Sequence, residues 1–162
     1  MTRVGLGFDI HPFAPADADR PVILGGVEVP AERGLRGHSD ADVLTHAVAD
    51  ALLGALALGE LGQHFPDSDP RYRGISSLTL LREVATRVHA HGGRVVNVDA
   101  TVIAESPRLA GWLDAMRKRL AETLDLTADR VSVKAKRTEG LGALGRCEGI
   151  AAMAVALVEV PE

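Results

Sequence analysis

Residues 3 to 11, RVGLGFDIH, alternate strictly, with Val4, Leu6, Phe8 and Ile10 on one parity and Gly5, Gly7, Asp9 and His11 on the other. A period of two is the pattern of a strand and is incompatible with a helix. Successive strand side chains point to opposite faces, so Asp9 and His11 project together. That spacing suits two metal ligands on a strand. Taken alone, however, the tripeptide reads more simply as a solvent-facing polar pair at a strand end. The chain enters this strand directly from MTRVG, which leaves no room for a signal or transit peptide.

A second stretch, from His38 to Pro70, gathers six carboxylates (Asp40, Asp42, Asp50, Glu60, Asp67, Asp69) and three of the six histidines, without a lysine or arginine. Like charges crowded in this way call for a metal or for protonation inside a fold. Ser39 reads as a helix N-cap with Asp42 completing a capping box. The expected helix runs from Asp40 to about Leu58, with Leu44, Ala47, Val48, Ala51, Leu52 and Ala55 as its apolar stripe and Gly59 just past its end. Asp42 and His46, four apart, are expected on one helical face. Residues 59–75 read as a long loop of functional character.

The rest alternates strands and helices. VILGGVEVP (22–30) predicts a β pair turning at Gly25-Gly26. A second helix is expected from Ser76 or Ser77 to about His91. VVNVDATVIAE (95–105) predicts a strand, and Ser106-Pro107 predicts the start of a helix reaching Leu124 and burying Trp112. RVSVKAKRTEG (130–140) predicts a strand ending in a turn, LGALGRCEG (141–149) a glycine-rich loop, and GIAAMAVALVEV a closing apolar strand. This is an α/β (α+β) pattern: one domain over 1–162, with a mixed sheet covered by helices on one side. The other sheet face is left for the subunits of an oligomer.

Composition narrows the classes of partner. A formal net charge of −4 argues against nucleic acid, which is held by clustered Lys and Arg. No apolar run is long enough to span a bilayer. A lone cysteine, Cys147, excludes an intrachain disulfide and suits a reducing, cytoplasmic setting.

Taken together, GFDIHPF, LGGVEVP, GLRGHSDADVLTHAVADALLGALALGELGQHFPDSDP, ESPRL and the KAKRTEGLG segment with its following GRCEGIA resemble the 2-C-methyl-D-erythritol 2,4-cyclodiphosphate synthases. The match is collinear over essentially the whole chain. The resemblance implies a homotrimer with sheets packed around a threefold axis and active sites between subunits. It implies cyclisation of 4-diphosphocytidyl-2-C-methyl-D-erythritol 2-phosphate with release of CMP, in non-mevalonate isoprenoid biosynthesis. Zn²⁺ or another divalent cation would be held by Asp9, His11 and His46. Glu139 would hold a second cation, Mg²⁺ or Mn²⁺, bridging the substrate diphosphate.

By the same resemblance, His38 and Ser39 would lie by the methylerythritol and its phosphate, with Asp9, Ile10 and His11 beside them. Glu60, Leu61 and Gly62, then Phe65, Pro66, Asp67, Ser68 and Asp69, would form the substrate loop. Ala104, Glu105, Ser106, Pro107, Arg108, Leu109 and Ala110 match the cytidine pocket. Ala135, Lys136, Arg137, Thr138 and Glu139 match the turn at the phosphates. His38 and Arg137 occupy the catalytic positions, and Arg146 lines a central channel that in some members takes isoprenoid diphosphates. The chain departs from the family pattern at Glu60, Arg137 and Ala143, where Asp, Thr and Phe are common. Two other functions fit the residues: a zinc-dependent phosphohydrolase, and a non-catalytic trimer that binds an isoprenoid diphosphate.

Overall fold

In the computed structural model, which describes residues 1–162, strand β1 spans Thr2–Pro12 and helix α1 spans Val43–Ala55. The strand's alternation is inverted relative to a half-buried strand: Val4, Leu6, Phe8 and Ile10 face outward, each at least 50% exposed, whereas Gly5 and Gly7 are buried. The cause is α1. A Cβ at Gly5 would sit 1.8 Å from the carbonyl oxygen of Ala51, and one at Gly7 1.8 Å from that of Ala47. Only glycine lets the helix backbone lie this close to the strand.

The hairpin strands β2 (Val22–Leu24) and β3 (Val27–Val29) pair antiparallel across Gly25 and Gly26. Both glycines have positive φ, +57° and +72°, as a two-residue hairpin turn requires. Helix α2 (Leu61–His64) is followed by α3 (Ser77–Ala90), β4 (Arg94–Ile103), α4 (Leu113–Thr123), β5 (Val131–Lys136), α5 (Gly142–Gly145) and β6 (Gly149–Glu159). The main sheet has the order β1-β6-β4-β5. β6 runs antiparallel to β1, in unbroken register from Thr2↔Glu159 to Pro12↔Gly149, and antiparallel to β4 on its other side. β4 and β5 are parallel, so the sheet is mixed. The helices cover one face, where Val98, Ala100, Val102, Ile150, Ala152, Ala154, Ala156 and Val158 join a 36-residue hydrophobic core. The opposite face carries Val4, Leu6, Phe8, Ile10, Met153 and Val155 in the open. No helix is long and apolar enough to cross a membrane.

Four local expectations change. Helix α1 starts at Val43, not Asp40, and its N-cap is Asp42 rather than Ser39. Asp42 is fully buried and accepts hydrogen bonds from the Thr45 amide (2.9 Å), the Thr45 hydroxyl (2.7 Å) and the amides of Gly25 (2.9 Å) and Gly26 (2.8 Å). It therefore faces the hairpin turn and is not His46's partner. Ser106-Pro107 opens no helix: α4 begins at Leu113, with Trp112 at its N-cap and 36% exposed. The stretch 59–75 contains α2 and a 3-10 turn at Pro70–Tyr72. The stretch 141–149 contains the single turn of α5.

Candidate metal centre and its flanking cavities

Because Gly5 and Gly7 admit α1 so closely, the next inward positions of β1, Asp9 and His11, meet the helix at His46. Asp9 Oδ2 lies 3.0 Å from His46 Nδ1 and 3.1 Å from His11 Nε2. The three residues offer ligand atoms that all lie within 4.8 Å of one another. Two imidazole nitrogens and one carboxylate oxygen form the donor set of an open, catalytic type of zinc site, so the residues fit such an ion. His11 Nδ1 is 2.7 Å from the Arg36 carbonyl. A carbonyl only accepts, so Nδ1 carries the hydrogen and Nε2 is left to face Asp9. Burial disfavours the Asp9 charge, but the bonds from His11 and His46 outweigh it and hold the carboxyl at about 2. Burial likewise opposes the His11 cation, and its bond to Asp9 wins, raising it above the ordinary imidazole value.

His46 is also held from behind. Its Nε2 lies 2.7 Å from Ser77 Oγ and 3.3 Å from Ser39 Oγ. Ser77 Oγ in turn contacts Asp40 Oδ1, while the Ser77 amide donates to Asp40 Oδ2 at 2.9 Å. Ser39, expected as a cap, is instead a buried neighbour of the histidine.

The centre forms one wall of a cavity of about 310 Å³ that is lined, among others, by His38, Ser39, Asp50, Glu60, Leu61, Gly62, Phe65, Asp67, Tyr72 and Leu80. No lysine or arginine lines it. Asp50, one helical turn past His46, accepts from the Leu61 amide at 2.7 Å. Burial, and then the charges of Asp9 and Glu60, push its carboxyl upward against that bond. Behind the His38 segment, Arg20 donates to the carbonyls of Gly37 and Ser39, both at 2.7 Å. His38 Nε2 lies 3.1 Å from the Asp69 carbonyl. Pro66 and Ser68 are exposed, the Asp69 carboxylate is taken by Arg71, and Ile10 points to the far face of the sheet.

A separate cavity of about 240 Å³ is lined by Ala104, Glu105, Pro107, Arg108, Leu109, Ala110, Ala135, Lys136 and Arg137. It opens where the parallel strands β4 and β5 end. Glu105 lies under its rim, accepting from the Thr138 amide at 3.1 Å, with Arg137 Nη2 at 3.6 Å. Ser106 instead lines a third recess with Phe13, Arg33 and Cys147. Glu139 is exposed, with φ of +56°, and stands outside the Asp9-His11-His46 group. Arg146 is paired with Glu148 at 2.7 Å. Lys134, on β5, is bound to Asp99 at 2.6 Å.

Comparison with known proteins decides the family. The model of the YgbB family matches residues 2–159. The chain belongs to the YgbB family. Among curated relatives, the 2-C-methyl-D-erythritol 2,4-cyclodiphosphate synthase of Burkholderia mallei (strain SAVP1) is 58% identical, over 96% of this chain and 94% of its own length. Among solved structures, the bifunctional IspDF from Campylobacter jejuni matches with a TM-score of 0.93 and 39% identity; all of this chain is covered, and it spans 43% of that longer one. IspF from Plasmodium falciparum, in complex with CDP, matches with a TM-score of 0.85 and 29% identity, covering 99% of this chain and 97% of that one. In this YgbB-family chain, sequence reasoning missed Asp50, Asp40 and Ser77. The i, i+4 spacing from His46 could have found Asp50. Nothing local connects Ser77 to residues 37 and 31 positions earlier.

Proposed function

We propose that this chain cyclises 4-diphosphocytidyl-2-C-methyl-D-erythritol 2-phosphate to the 2,4-cyclodiphosphate, releasing CMP, as a phosphorus-oxygen lyase of the cytoplasm. The observation that carries the reading is the convergence of Asp9, His11 and His46 on an acidic cavity in a chain 58% identical to relatives of that name. One oxygen of the substrate's 2-phosphate attacks the β-phosphorus of its diphosphate. A new P–O–P bridge closes the ring as the bond to CMP breaks, and no water is consumed. The nucleophile belongs to the substrate, so the protein needs no reactive serine or cysteine.

A divalent cation at Asp9, His11 and His46, zinc by its donor set, supplies Lewis-acid polarisation of a phosphate oxygen when bound. The chain's own residues bind and orient. His38 and Ser39, on the segment braced by Arg20, position the methylerythritol phosphate, and Glu60 accepts from the sugar hydroxyls. Arg108, Lys136 and Arg137 offer donors to the nucleotide and its phosphates, with Thr138 and Glu139 on the same turn and Glu139 as the carboxylate for a second cation. Holding the phosphates in line supplies most of the rate. CDP in the Plasmodium structure supports a cytidine-linked substrate.

One chain keeps the acidic and basic cavities apart, so in this reading they are joined across subunits of a homotrimer. The open apolar face of β1 and β6 supports that assembly, since a contiguous exposed apolar patch marks an interface. Incubation with the substrate in solvent enriched in heavy oxygen should yield CMP and the cyclic product without label. Labelled open-chain phosphates as the sole products would sink the assignment in favour of a phosphohydrolase.

A further inference from the structure

The two nitrogens of His46 face opposite demands. Nδ1 lies 3.0 Å from Asp9 Oδ2, and to hold a cation it must present a lone pair. Nε2 lies 2.7 Å from Ser77 Oγ, and Ser77 Oγ is in contact with Asp40 Oδ1. A carboxylate only accepts, so the single Ser77 hydroxyl hydrogen goes to Asp40. The Ser77 oxygen then has only lone pairs left for His46, and Nε2 must supply the hydrogen. A neutral imidazole has one N–H. Asp9 draws it to Nδ1 directly, while Asp40 draws it to Nε2 through Ser77. A cation on Asp9 removes the first pull and leaves the second.

We propose that Asp40 and Ser77 are positioning residues that act through His46, keeping its hydrogen on Nε2 so that Nδ1 is the ligand atom. The inference rests on the reading of Asp9, His11 and His46 as a cation site. It makes the two histidines equivalent in logic but different in means: a backbone carbonyl, Arg36 O, fixes His11, and a side-chain relay fixes His46. The relay also joins distant parts of the chain, because Asp40 precedes α1 and Ser77 begins α3.

The isosteric Asp40→Asn change reverses the relay. Both Asp40 oxygens receive backbone amides: Oδ2 that of Ser77 at 2.9 Å and Oδ1 that of Asp42 at 3.2 Å. The new amide nitrogen displaces the weaker contact and so takes the side facing Ser77 Oγ. The amide now donates to Ser77, whose hydroxyl turns to Nε2 and holds the His46 hydrogen on Nδ1. Ser77→Ala is gentler: it removes the acceptor but keeps the backbone bond to Asp40 and leaves Ser39 Oγ at 3.3 Å.

The test is titration of the metal-free protein with Zn²⁺ against a chelating dye, together with nitrogen NMR of the His46 ring in metal-free and Zn²⁺-loaded protein. We expect the parent to bind Zn²⁺ with Nε2 protonated. Asp40→Asn should weaken Zn²⁺ roughly 10- to 100-fold and shift the metal-free ring, pulled both ways in the parent, further toward its Nδ1–H form; Ser77→Ala should weaken it roughly three- to tenfold. A change in packing alone would not exchange the protonated nitrogen. Variants that bind Zn²⁺ within twofold of a Zn²⁺-binding parent, or an Asp40→Asn ring unchanged from the parent, overturn the relay alone. A parent that binds no Zn²⁺ overturns the cation site and the relay with it.

Discussion

The cavity at the metal centre and the one beyond the ends of β4 and β5 are built on opposite principles. The first is walled by Asp9, Asp50, Glu60 and Asp67 with three histidines and no lysine or arginine; the second sets Arg108, Lys136 and Arg137 against a single carboxylate, Glu105. Their origins differ as well. The acidic cavity is assembled by side-chain packing of β1, α1, α2 and the start of α3. The basic one sits beyond the ends of β4 and β5, where parallel strands leave a crevice for ligands. An acidic wall repels a diphosphate unless a cation intervenes, whereas a basic wall attracts it. The lesson is a difference in charge: the first half takes a phosphate only once a cation is loaded, while the second carries cationic donors of its own.

That difference can be broken from either side. The largest effect is expected of His46→Ala, which leaves two ligands of three. Zn²⁺ retention and turnover should fall together by roughly a thousandfold or more, and a variant with stoichiometric zinc and full activity would contradict the site. Gly7→Ala should come next, because its Cβ meets the Ala47 carbonyl and pushes α1 off β1. A destabilisation of about 3 kcal/mol in chemical denaturation is expected, with weakened Zn²⁺ binding; a melting curve like the parent's would mean that the helix does not depend on this contact. Arg137→Ala should raise the substrate KM roughly tenfold without touching Zn²⁺ affinity. Loss of zinc in that variant would mean that the two cavities are not independent.

The smallest effect is one of pH, and it sharpens the contrast because it belongs to the acidic half alone. His11 is raised by its bond to Asp9, so protons compete with a cation there, and Zn²⁺ affinity should climb as pH rises through the His11 value. In metal-free protein the signs separate. The lowered Asp9 contributes stability that is present above its unfolded value of 3.8 and lost as pH falls toward about 2. The raised His11 contributes stability that is full below 6.5 and lost as pH rises through its folded value. Stability that is flat across both windows in denaturant titrations would exclude the pairing.

Much of this was legible in the sequence. The period-two run disclosed β1 and the shared face of Asp9 and His11, and His46 followed from the helix pattern. The direction of β1 was not legible. Alternation places Val4, Leu6, Phe8 and Ile10 together but does not say that the glycine side is the buried one; that depends on a helix that comes more than thirty residues later. Asp42 was misread because a capping-box pattern three residues from a serine has the same spacing whether the serine or the aspartate is the cap. The deciding partners, the amides of Gly25 and Gly26, are remote in sequence. Pro107 misled in a similar way: proline suits a first helical turn but does not start one, and α4 begins only at Leu113. Asp40 and Ser77 carry no local signature because their bond spans a loop and the whole of α1.

The buried Asp42 carboxylate has a consequence for how the chain folds. The β2–β3 hairpin, three residues to a strand, is too short to persist alone, and α1 begins without a cap of its own until Asp42 is in place. One side chain satisfies amides from both, so neither can open while the other stays closed without stranding a buried charge. The hairpin turn and the first turn of α1 therefore behave as one cooperative unit. In native-state hydrogen exchange, the amides of Gly25, Gly26 and Thr45 should share a single opening free energy, and unequal protection among the three would separate them.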